Sequence, residues 1–78
     1  MSARLLDVLT AHDALLKLAH DMHEQADRLS ISDTDAALLR MAAAHTVLAA
    51  DLLADGRWGL DAALAWIEAG RQALERVA

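Results

Sequence analysis

The chain has 78 residues, enough for one domain, and carries twelve acidic against seven basic residues for a formal charge of −5. Its single lysine and six scattered arginines form no basic patch, so phosphate-driven nucleic-acid binding and attachment to an anionic membrane surface are not expected. Cysteine is absent, which excludes disulfides, thiolate metal sites and cysteine nucleophiles.

Nearly a quarter of the residues are alanine and almost a fifth leucine, while proline is absent. Alanine and leucine are strong helix formers, and the β-branched and aromatic residues that favour strands are scarce. The expected fold is therefore all-α: a helical hairpin plus a third helix, with helices over 3–29, 33–54 and 60–77 of a single domain spanning 1–78. A chain this short buries only about 60% of its unfolded surface, so oligomerisation is a natural source of added stability.

The first segment repeats apolar residues at helical spacing, with Leu5, Val8, Leu9, Ala11, Leu15, Leu16, Leu18, Ala19, Met22 and Ala26 within half of the circumference. Asp7, Asp13, Lys17, Asp21, Glu24 and Arg28 lie opposite, and Asp13–Lys17 and Glu24–Arg28 have the spacing of favourable i,i+4 ion pairs. The start of the chain lacks the charged and apolar regions of a signal peptide, and no uninterrupted apolar run reaches bilayer length. A cytoplasmic protein is the expectation.

Ser30 to Asp35 reads as a break and a new helix start, with Ser32 as N-cap, Asp35 completing a weak capping box and Ile31 as a hydrophobic staple. The second helix is apolar almost all round: Leu38, Leu39, Met41, Val47, Leu48, Leu52 and Leu53 cover most of it, with alanines between them. Two neighbouring helices do not easily cover such a surface. A homodimer through helix two and the flank of helix one is expected for that reason.

Asp55-Gly56 marks the second break, and the last helix presents Leu60, Ala63, Leu64, Ile67, Gly70, Leu74 and Val77. A glycine on that apolar face costs about 1 kcal/mol of helix propensity, which points to close helix–helix approach at Gly70.

Motifs for catalysis are lacking: there is no phosphate-binding glycine loop, nucleophile elbow or His-Glu-x-x-His. With no sizeable concave pocket expected in so thin a core, the chain is not expected to be an enzyme or to require a cofactor. Of four histidines, His20 and His23 have the i,i+3 spacing that can chelate a metal, although the Glu-x-x-His motif of bundle metal sites is missing. The alternative reading is a histidine-based metal or haem protein. His12, His23 and His45 are otherwise expected in core or interface positions.

The leading expectation is a small acidic module that binds another protein and acts as adaptor, inhibitor or regulatory subunit. Small acidic phage-encoded inhibitors of bacterial defence complexes have that general character. Arg57 and Trp58, in a glycine-flanked loop, are the first candidates for partner contact, because Trp and Arg dominate binding hot spots. The acidic face bearing Asp13, Asp21 and Glu24 is the second. A purely structural homo-oligomer is a further alternative.

Overall fold

The computed structural model describes residues 2–30 and 32–77, with side chains from Leu5 onward. Its elements are three helices: α1 (Ser2–Arg28), α2 (Thr34–Ala54) and α3 (Leu60–Val77). Each boundary falls within one residue of the expected one, and the all-α class stands.

The first break differs in detail. Asp33, not Ser32, is the N-cap: its backbone is extended (φ −74°, ψ 127°) and its carboxylate accepts the Asp35 N–H at 2.8 Å. Both residue types cap well, but the carboxylate also meets the positive end of the helix dipole. The Ser32 hydroxyl instead lies 3.0 Å from that of Ser30. The staple expected of Ile31 lies outside the described residues.

The second break is a Schellman turn. The Arg57 N–H donates to the Leu52 carbonyl at 2.9 Å and the Gly56 N–H to that of Leu53 at 3.1 Å. This geometry needs a left-handed residue, and Gly56 supplies φ +70°. The Gly59 carbonyl then accepts the first bond of α3, from the Ala63 N–H at 3.1 Å.

Helices α1 and α2 form an antiparallel hairpin lined by small residues. At one end Leu18, Ala19, Met22 and Ala26 pack on Ala36, Leu39 and Ala43. At the other, Ala11 and Leu15 meet Ala50 and Leu53, joined by Ala63 and Ile67 of α3. Gly70 sets the approach of α3 to α1, since a Cβ there would stand 2.5 Å from Leu18 Cδ2 and 3.1 Å from Met22 Cε. The close contact expected at that glycine is thus with α1.

Polar pairing on α1 differs from the expected pattern. Lys17 pairs with Asp21 at 3.2 Å rather than with Asp13, and Glu24 lies 3.1 Å from His20. Asp27 reaches across to Arg40 of α2 at 3.2 Å. Lys17 has carboxylates one turn away in both directions, Asp13 and Asp21, so either pairing satisfies the i,i+4 spacing.

The molecule is an elongated slab of 46 × 19 × 15 Å with a radius of gyration of 13.2 Å. A compact chain of this length would have about 11.5 Å. Helix α3 lies mainly along α1 and touches α2 only lightly. That placement leaves the side of α2 facing away from α1 without cover.

Candidate interaction surface

The outward stripe of α2 is Leu38, Met41, His45, Leu48 and the half-buried Leu52, spaced alternately by three and four residues. Such spacing keeps one face in line along a helix. Leu38, Met41 and Leu48 are exposed by 56%, 57% and 54%, which is unusual for three large apolar side chains on one stripe. Between Ala36 and Ala54 only Arg40 and Asp51 carry formal charge, and neither lies on the stripe.

Helix α3 continues this surface. Ala62, Trp66, Ala69 and Ala73 share the side of α3 nearest α2, and Trp66, Ala69, Gly70 and Ala73 line a wholly apolar groove with Met22 and Ala42. The Trp66 indole N–H donates to Thr46 Oγ1 at 2.9 Å, and the Thr46 hydroxyl donates to the Ala42 carbonyl at 2.7 Å. Thr46 is completely buried, and among the described residues no buried side-chain polar atom lacks a partner. This bond holds the two helices of the apolar face in fixed register.

Leu5, Leu9 and Leu16 of α1 are also exposed, by 62%, 53% and 41%. They do not join the α2 stripe. On α1 they lie roughly opposite Ala14 and Leu18, which face α3, whereas the α2 stripe runs beside α3. Leu5, Leu9 and Leu16 therefore form a surface separate from the α2 stripe.

The other candidate residues are spread over the molecule. Arg57 is exposed in the loop before α3, while Trp58 is half-buried against the lower core, its ring edge-on to Trp66 at 6.2 Å and 78°. Asp13, Asp21 and Glu24 line the wet side of α1, where Lys17 partly neutralises Asp21 and the His20 imidazole lies 3.1 Å from Glu24. His20 and His23 are exposed, and among the described residues no group of three or more histidines and carboxylates is placed to hold a metal ion. His23 and His45, expected in core or interface positions, are exposed in the single chain, and His12 is half-buried. Their helices are wide enough in apolar character that the core takes the alanines and leaves the imidazoles outside.

Surface concavity exceeds the expectation. An open groove of about 400 Å³ runs between α1 and α3, with Ala11, Ala14, Leu60, Leu64 and Ile67 as its walls and Asp7 and Arg71 on its rim. Small side chains at Ala11 and Ala14 leave this space unfilled. Thr10 also lines the groove.

Helix α2 also has the length and apolarity of a membrane-crossing helix, with a mean hydropathy of 1.4 over eighteen residues, 39% of that window being buried within the protein. No family model, no curated protein and no solved structure matches the chain.

Proposed function

We propose that this chain is a small protein–protein interaction module whose working surface is the apolar face of α2, extended by α3, and that it assembles as a homodimer. The supporting observation is the exposure of Leu38, Met41 and Leu48 by more than half each on one uncharged stripe. Each such side chain removed from water contributes about 1.5–3 kcal/mol when fully buried. Contiguous exposed apolar surface of this kind marks interaction sites in water-exposed proteins. The module would act as an adaptor, inhibitor or regulatory subunit by occupying a surface.

The acidic side of α1 ranks below it, because Lys17 pairs with Asp21 and interrupts the negative run. Arg57 remains an exposed rim residue suited to a polar contact.

The test is retention of protein by immobilised chain, comparing wild type with Leu48→Asp. Wild type should retain protein in fixed stoichiometry, either itself or another chain, and the variant should lose it with unchanged helical circular dichroism. A wild type that retains nothing and sediments as a monomer at high micromolar concentration overturns the reading.

A further inference from the structure

We infer that the apolar face of α2 and α3 is covered by a second copy of this chain, packed antiparallel about a two-fold axis that passes beside His45. This rests on the interaction-module reading and specifies its partner and geometry.

The argument begins with the symmetry of the stripes. An isologous interface is self-complementary: a residue at one distance from the axis meets its counterpart at the same distance on the other side. The α2 stripe is a palindrome in spacing, with Leu38 and Leu52 equidistant from His45, and Met41 and Leu48 nearly so. In an antiparallel pair Leu38 faces Leu52 of the second copy and Met41 faces Leu48. Large apolar side chains then meet their like on both sides of the central His45.

The α3 stripe has the same property. Ala62 and Ala73, and likewise Trp66 and Ala69, are symmetric about a point between Ile67 and Glu68. The two centres coincide. Thr46 and Trp66 are level, because their side chains are bonded, and Ala42 shares a groove with Ala69, Gly70 and Ala73 one turn away. Since α2 and α3 run antiparallel, the midpoint of the α3 stripe falls level with residues 44 and 45. One two-fold axis therefore serves both helices.

The net charge of −5 does not bar a second copy at this face. Neither stripe carries a formally charged residue. At the rim, the antiparallel register brings Arg40 of one copy, held by Asp27 of its own chain at 3.2 Å, level with Asp51 of the other. The small side chains of Ala42 and Ala44 beside the stripe allow close approach of the helices.

The area suffices. Two adjacent helices of this length present a face of about 27 Å by 20 Å, or about 500 Å² per copy and about 1,000 Å² for the pair. A specific interface should clear about 1,000 Å². The face is at that threshold, so association should be reversible and concentration-dependent.

Because the chain has no cysteine, single substitutions report the register without interference. Sedimentation equilibrium of the wild type should give a monomer–dimer equilibrium, and Leu48→Asp should weaken it by about 30-fold or more. Under mild oxidation His45→Cys should link to itself. Leu38→Cys should link to Leu52→Cys in a mixture of the two variants but not to itself. Efficient self-linking of Leu38→Cys in a wild-type-like dimer indicates a parallel pair and overturns the register. A strictly monomeric wild type that binds a different protein, with binding lost in Leu48→Asp, overturns self-pairing while leaving the module reading intact. A monomer that instead partitions onto phosphatidylcholine vesicles overturns both.

Discussion

The Trp66 indole and the Thr46 hydroxyl, 2.9 Å apart, form the one hydrogen bond observed between the side chains of α2 and α3 among the described residues. These helices otherwise share only light contact, so the bond bears on where α3 sits as well as on stability. Thr46→Val should cost about 1 kcal/mol, since the indole N–H loses its acceptor but stays near solvent. Trp66→Phe removes the same bond from the other side. A double-mutant cycle of thermal melts should show the two losses overlapping, with a coupling of about 0.5–1.5 kcal/mol. Additive losses would mean that the bond contributes nothing measurable.

Gly70 is constrained by α1 rather than by its own helix. An added Cβ would meet both Leu18 methyls and the Met22 methyl, in the buried heart of the slab. Gly70→Ala gains about 1 kcal/mol in helix propensity but overpacks the contact by about 1–3 kcal/mol. The expected net is a loss of about 1 kcal/mol, a fall in Tm of about 4–8 °C for a domain of this size. Gly70→Val should lose clearly more. A rise in Tm for the alanine variant would show that Leu18 turns aside freely.

Arg57 and Trp58, neighbours in sequence, should separate in experiment. Trp58 packs with Val8 and Leu60 against the lower core and stands edge-on to Trp66, so Trp58→Ala should cost about 2–3 kcal/mol of folding stability. Arg57 is exposed, and Arg57→Ala should leave stability within about 0.5 kcal/mol. Denaturant unfolding of the two variants checks this directly. Lost binding in Trp58→Ala therefore reports on the partner only if the variant is still fully folded at the assay temperature.

The helices were legible because their punctuation is local: a run of Ser and Asp residues begins α2, and Gly56 supplies the φ that ends it. Gly70 was legible for a similar reason, as a poor helix former on an apolar face. Which apolar residues face outward was not. Helical periodicity fixes the width of an apolar arc but not which part a neighbour covers, and that depended on α3 lying along α1. Leu5, Leu9 and Leu16 thus sit within the arc of α1 yet outside the core. The capping position also escaped, since Ser32 and Asp33 offer equivalent side chains one residue apart. Alanine-rich contacts concealed the core as well: Ala36, Ala43, Ala50 and Ala63 are completely buried, while leucines remain on the surface.

His45 supplies the last prediction, because it is the only polar side chain on the α2 stripe. In coiled-coil seams one polar residue at a core position fixes register and oligomeric state at a cost in affinity. The proposed antiparallel pairing would place two copies of His45 beside the axis, with Met41, Ala42, Leu48 and Ala49 within one turn of each. Desolvating a polar group with imperfect hydrogen bonding costs about 1–3 kcal/mol. His45→Leu should therefore tighten the dimer by about tenfold or more, as read by sedimentation equilibrium, while loosening its register. The second effect has its own readout: in the His45→Leu background, Leu38→Cys should begin to link to itself as well as to Leu52→Cys. Unchanged affinity in the leucine variant would place His45 outside the contact and move the axis elsewhere along the face.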